Sequence, residues 1–204
     1  MESRVFTVGY ANRSVEEFVA VLRDNSVNAV ADIRSVPFSG SNPEFNHDSL
    51  KRTLGSSGIA YAFLGKELGA RTPNTDCYVS GRVQYDRLAT TPTFQLGLGR
   101  IEKGISSHRI ALMCAEKEPF DCHRCILVGR HLCERGIRVS HILEGGQTEE
   151  HSATIGRLIQ YLRISDAYAS QSEEDNISMA YRIQGERIAF KVEEDEIEQP
   201  LLWG

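Results

Sequence analysis

The apolar positions of this chain change period several times. RVFTVGY (residues 4–10) is an apolar run that predicts a first strand. In SVEEFVAVLRDN (14–25), Phe18, Val21 and Leu22 recur at helical spacing behind Ser14 and Glu17, a capping box. The continuous apolar run VNAVADI (27–33) predicts a strand buried on both faces. Pro37, Gly40 and Pro43 then impose a loop. HDSLKRTLGSSG reads as a short helix ended by glycine, and IAYAFLG as a third strand. No period runs from Lys66 to Val83, which predicts a long loop. Thr91 caps and Pro92 opens a helix with Phe94, Leu98 and Ile101 on one face. RIALMC is a fourth strand, HRCILVGRHLCERG a helix stopped by Gly136, and IRVSHILEGG a fifth strand. A helix over HSATIGRLIQYLRI follows. Past it, the acidic runs SQSEED and EEDEIEQP flank MAYRIQGERIAFKV, whose alternation around QGE predicts a hairpin.

Strands alternating with helices at this spacing argue for an α/β fold, a mainly parallel sheet with helices on both faces. The 204 residues suffice for one main domain, expected over 1–166. A small acidic helix/hairpin appendage is expected over 167–204.

Charge narrows the partners. With 23 Lys+Arg against 28 Asp+Glu, the net charge of -5 gives no global basic field for nucleic acid, so any anion site is local. No window approaches a membrane span and the N-terminus shows no cleavable leader, so no membrane association is expected. The cysteine count is odd, at five, which favours free thiols in a reducing cytoplasm over a disulfide framework.

Ligands of open parallel sheets bind beyond the carboxyl ends of the strands. Strand one delivers Tyr10, Asn12 and Arg13 there, and strand two Asp32 and Arg34. The loop after strand three brings Lys66 and Arg71; strand four delivers Cys114 and Glu116, with Cys122, His123 and Arg124 at the next helix start. The guanidinium groups of Arg13, Arg34, Arg71 and Arg124 are expected to face one cleft.

TVGYANRSVEEF, VADIRSVPFS, NPEFN, GIAYAFLGKELGAR and LMCAEKEPFDCHR with the following LVGRHL and GIRVSHIL together resemble the domain of unknown function 488 family. The resemblance covers about the first 150 residues, and it implies no settled activity. It implies motif positions at Asn12, Arg13, Asp32, Arg34, Arg71, Cys114, Glu116, Cys122, His123 and Arg124. The chain departs from the family pattern at Gly40, where an arginine is common, and at Ala70, where a glycine is common. The first departure would remove one anion contact.

Several chemistries compete for these residues. A strand-end cysteine and a helix-opening arginine suggest thiol phosphatases or sulfurtransferases, whose loop wraps one anion. Here nine residues separate Cys114 from Arg124 and one separates Cys122 from it, and Glu116, Glu118 and Asp121 would repel a phosphoryl dianion. A structural zinc site from Cys77, Cys114, Cys122 and Cys125 stays open. In the plainer readings, Cys125 and Cys133 are small buried hydrophobes and Cys114 is a core residue. His123 caps the helix or pairs with Asp121. His47, His108, His131, His141 and His151 show no ligand spacing. Asp32 and Arg34 are placed on opposite faces of the strand end, one of them in a structural salt bridge or cap.

The reading that uses most of these residues is a thiol-dependent enzyme acting on an anionic ligand, a nucleotide or nucleic-acid end. Cys122 or Cys114 serves as nucleophile or redox thiol, His123 or Glu116 as proton carrier, and Asp32 as orienting acid or base. Asn12, Arg13, Arg34, Arg71 and Arg124 bind the ligand. The alternative is a noncatalytic nucleotide or nucleic-acid binding module whose cysteines pack or hold a metal. Neither a cofactor nor a protein partner is specified. Cys122 is expected to be the more reactive thiol, because a helix start and Arg124 both favour its thiolate.

Overall fold

The five apolar runs form the centre of one sheet. A computed structural model describes residues 3–164 and 172–192; the run EEDEIEQP and the expected boundary at 166/167 lie outside the described residues. Strands β1 (Arg4–Gly9), β2 (Ala29–Asp32) and β3 (Ala60–Phe63) are joined by β6 (Ile110–Cys114) and β7 (Arg138–Ile142), all parallel. A short strand, β8 (Thr148–Glu150), adds antiparallel to β7, giving the order β3-β2-β6-β1-β7-β8. Its three polar residues carry no period that sequence reading can detect. The register sets Gly9 beside Cys114 and Asp32 beside Met113, so the candidate residues start from neighbouring strand ends.

Successive side chains point to opposite faces of each strand. Phe6, Val8 and Met113 pack under α1 (Val15–Asp24) and α2 (His47–Ser56) through Phe18, Leu22, Leu50 and Leu54. Val5, Ile33 and Leu112 face the other way, towards α3 (Gly65–Leu68) and α5 (Pro92–Gly104). The Ser14 capping box forms as expected, with Glu17 N–H donating to Ser14 Oγ and Ser14 N–H to Glu17 Oε2.

The stretch 66–83 is more ordered than its lack of period implies. It holds most of α3 and a hairpin of β4 (Tyr78–Val79) and β5 (Arg82–Val83), followed by α4 (Tyr85–Ala89). Ser80 and Gly81 both take positive φ at its turn. Elements of two to four residues are too short to show a period. The helix expected over 123–136 begins as a π-helix, Arg124–Gly129, before α6 (Arg130–Glu134). Such bulges widen the turn and recur at functional sites.

The expected C-terminal hairpin is overturned. Glu173–Ile188 is a single helix, α8, opened by a Ser172/Asp175 capping box. Ile177, Ala180, Tyr181, Gln184 and Ile188 recur at helical spacing, and this longer period outweighs the local alternation around QGE. Ala180 and Ile177 pack with Ile126 and with Ile155 and Leu158 of α7 (His151–Tyr161). Beyond α8, Val83 N–H donates to the Phe190 carbonyl (3.0 Å) and Val192 N–H to that of Gly81 (2.8 Å), which ties residues 190–192 to the β4–β5 hairpin. No helix among the described residues is long and apolar enough to cross a membrane.

Candidate functional site

The apolar strand β6 carries Cys114 to its end, and the loop 115–121 returns Cys122 to the start of the π-helix. His123 Nδ1 lies 3.8 Å from Cys114 Sγ and 3.7 Å from Cys122 Sγ. Its Nε2 lies 3.1 Å from the Ile33 carbonyl, just past β2. A ring nitrogen facing a carbonyl must donate, so Nε2 carries a proton and Nδ1 is turned to the sulfurs. Gly9 permits the loop to approach β1, since a Cβ there would lie 1.9 Å from the Glu116 carbonyl oxygen.

The two thiols are driven apart electrostatically. Burial alone would raise Cys122, but a hydrogen bond from Cys114 and the charges of Arg124 and His123 hold it well below the ordinary thiol value. The Arg124 N–H also donates to Cys122 Sγ at 3.4 Å. Cys114 moves the opposite way, raised by its bond to the Cys122 sulfur, by burial, and by the charges of Cys122 and Glu116. Burial opposes charge on His123, yet the Cys122 thiolate, Glu116 and the Ile33 carbonyl raise it. Glu116 is raised by burial and then by the Cys122 charge. The surroundings therefore favour the charged forms of Cys122 and His123 and the neutral form of Cys114.

The four arginines divide into two pairs. Arg124 is fully buried and donates from Nη1 to the Glu116 carbonyl (2.7 Å) and from Nη2 to that of Lys117 (3.0 Å), fixing the loop. Arg13 donates to the carbonyls of Gly9, Leu143 and Glu144, tying β1 to the end of β7. Asn12, in the left-handed region at φ 63, donates to Glu144 Oε1 at 3.4 Å. Arg34 and Arg71 instead line a cleft of about 460 Å³ together with Cys114, Glu116, Cys122 and His123.

Asp32 and Arg34 do not point to opposite faces. Residues two apart share a face of a strand, and Arg34 donates from Nε (2.9 Å) and Nη2 (2.6 Å) to the Asp32 carboxylate, which also accepts from the Tyr61 hydroxyl (2.8 Å). Asp32 is fully buried behind the cleft lining. Arg34 Nη1, also buried, has no partner. His123 neither caps nor pairs with Asp121, because the Ile33 carbonyl holds it; Asp121 accepts from Gln184 of α8.

Three expectations bear on the lining. The four-cysteine zinc set is not assembled: Cys77 packs in the core between β5 and α4, and Cys125 turns to His151 at 3.8 Å. Cys114 is buried in the core cluster, as the plainer reading has it, and also lines the cleft. The C-terminal extension supplies a cleft wall through Ile188 and Phe190, with the Arg71 guanidinium 4.3 Å above the Phe190 ring. Sequence reading missed Phe190 and Tyr85, whose buried hydroxyl has no partner; neither belongs to a motif, and chain folding alone brings them there.

Residues 14–131 match the family model described as domain of unknown function DUF488. That span includes every cleft residue except Tyr10 and those following α7. No curated protein and no solved structure matches the chain.

Proposed function

The chain belongs to the DUF488 family, and from the chemistry of its cleft we propose a thiol-dependent enzyme acting on an anionic ligand, a nucleotide or nucleic-acid end. The observation that carries this reading is Arg34 Nη1. A buried guanidinium nitrogen without a partner is costly, and Arg34 lines the same cleft as the lowered thiol of Cys122. A ligand oxyanion that displaces the side chains covering Nη1 and accepts from it would remove that cost. Arg71 and the unpartnered Tyr85 hydroxyl would add a second charge and a further donor.

Cys122 is the nucleophile. Its thiolate attacks an electrophilic atom of the ligand and forms a bond from sulfur, and the departing group takes its proton from His123 or Glu116. Asp32 positions Arg34 through the paired hydrogen bonds. Arg13, Asn12 and Arg124 support the strand ends and the loop. Glu116 and Asp121 also line the cleft and disfavour a dianion in contact with Cys122. The ligand charge thus belongs at Arg34 and Arg71, with the reacting atom placed at the sulfur.

Alkylation against pH, followed at each cysteine by mass spectrometry, tests this reading. Cys122 is expected to react fastest at neutrality, with an apparent pKa below the unperturbed value of about 8.5. Faster reaction of Cys114 below pH 7 would reverse the nucleophile. If neither reacts while the fold is intact, the protein is a binding module. One observation favours that second reading: Cys114 Sγ, Cys122 Sγ and a His123 nitrogen lie within 4.8 Å of one another. Stoichiometric zinc in protein purified without chelator, lost on Cys114→Ser, would select it.

A further inference from the structure

A second Cys/His cluster lies in the core, away from the cleft. Cys125 from the π-helix, His141 from β7 and His151 from the start of α7 present ligand atoms that all fall within 4.8 Å. His141 Nε2 is 2.9 Å from His151 Nδ1, which is 3.8 Å from Cys125 Sγ. The outward nitrogens are already engaged. His141 Nδ1 lies 2.7 Å from Thr7 Oγ1, and His151 Nε2 lies 2.7 Å from Tyr181 Oη.

We propose that Cys125, His141 and His151 form a three-coordinate site for a monovalent thiophilic metal ion, Cu(I). The hydrogen bonding is the first argument. If each outward nitrogen donates to its hydroxyl, both inward nitrogens present lone pairs to the same point as the sulfur. Metal-bound histidines are held in this manner, with the second nitrogen fixed by an oxygen. Without an ion, the Cys125 thiol and a His141 proton compete for the single lone pair of His151 Nδ1.

Distance admits an ion, and charge selects which. Bond lengths like those of zinc sites, about 2.0 Å to nitrogen and about 2.3 Å to sulfur, place trigonal donors about 3.5–3.7 Å apart; the nitrogens would separate by roughly half an ångström, His151 Nδ1 already stands 3.8 Å from the sulfur, and the sulfur lies within 4.8 Å of His141 Nε2. Burial lowers both imidazoles and so keeps them in the neutral form that ligates. A thiolate, two neutral imidazoles and Cu(I) sum to zero. A divalent ion would leave a net positive charge in the core, where the charge of Arg124 already reaches Cys125 and His141. Soft thiolate with imidazole suits Cu(I). Gly129 makes room for the His151 ring, and His151 also lines a surface hollow with Glu150 and Ser152, which offers an entry path.

The test uses the full chain carrying Cys114→Ser and Cys122→Ser, so that the cleft thiols cannot bind. Cu(I) is added without oxygen and competed with the chromogenic chelator bicinchoninate, while the imidazole 15N resonances are recorded. The expected result is one retained Cu(I) per chain with shifts at His141 Nε2 and His151 Nδ1. Tyr181→Phe, which removes an oxygen that fixes His151, should weaken retention about tenfold or more. No retained copper overturns the proposal. So do retention without shifts at these two nitrogens and retention unchanged by Cys125→Ser. The resonance measurement needs no variant within the cluster, so a Cys125→Ser protein that fails to fold leaves the test decisive.

Discussion

Cys122 just precedes the π-helix and Cys125 lies in its first turn; both are buried, and both approach a histidine. Their surroundings then diverge. Around Cys122, burial is outweighed by a thiol donor and two cations, and His123 is raised as its partner. Around Cys125, burial dominates and raises the thiol well above its ordinary value; His141 and His151 are both lowered. The first cluster favours charge and opens on a cleft; the second favours neutral groups and lies in the core, with His151 alone reaching a surface hollow. The same residue types at similar depth thus reach opposite charge states, because only the first contains groups that stabilise one another's charge. Arg124 stands between the two and acts on both.

Removing Arg124 is the most severe way to break this comparison. Arg124→Met withdraws the buried cation from the Cys122 thiolate and both donors from the Glu116 and Lys117 carbonyls. Loss of one partner from a buried charged pair costs about 3–5 kcal/mol, to be read by denaturant unfolding. In the surviving folded protein, Cys122 loses one of the charges that hold its thiol down, and its alkylation at neutrality should slow. Cys125 should stay unreactive. An unchanged Cys122 rate would assign its acidity to Cys114 and His123 alone.

The core cluster makes a prediction for acid. His151 is pushed down to about 4 by burial and is 6 % exposed. An unfolded histidine titrates near 6.5, so between these values the unfolded chain binds more protons and stability rises with pH. The contribution is full above about pH 6.5 and is lost as pH falls through 4, a change of about 3 kcal/mol. His141, lowered in the same direction, steepens the loss; Cys125, Tyr181 and Thr7, the other groups around the pair, do not change charge in this window. His151→Gln should flatten unfolding free energy between pH 4 and 6.5. A slope unchanged by that substitution would place the acid sensitivity elsewhere.

How much of this was legible in the sequence depends on the range of each signal. The five parallel strands, the Ser14 box and the Thr91–Pro92 helix start are local patterns, and they stand as read. The Cys114 to Arg124 motif was legible for the same reason. The hairpin reading failed because QGE is a turn signal over three residues, whereas the face of α8 shows only over four turns. The fate of each arginine was hidden, since a sequence gives a guanidinium its position but not its acceptors. Arg13 and Arg124 turn to carbonyls, and Arg34 keeps one nitrogen free. His141 and His151 were set aside for lack of ligand spacing. Nine residues and a strand-to-helix return separate them, and only the fold, with Cys125 arriving from a π-turn, brings them together.

Gly129→Ala probes the same comparison with the smallest expected change in stability. Gly129 has helical backbone angles, φ -60 and ψ -45, so alanine meets no backbone strain there and gains about 1 kcal/mol of helix propensity. Against this, the added Cβ would lie 3.0 Å from the Arg124 carbonyl oxygen and 3.2 Å from His151 Cε1. Those neighbours must yield by a few tenths of an ångström, and crowding of a packed interior costs about 1–3 kcal/mol. The opposing effects leave a net loss of about 0–2 kcal/mol. Binding should respond more than stability, because the displaced ring is one of the three proposed ligands. Cu(I) retention should fall while the Cys122 alkylation rate holds, since the new methyl group meets Arg124 only at its backbone carbonyl and leaves the guanidinium that acts on Cys122 in place. If both change together, the two clusters are coupled through the π-helix and the division between a cleft site that favours charge and a core site that favours neutral groups no longer holds.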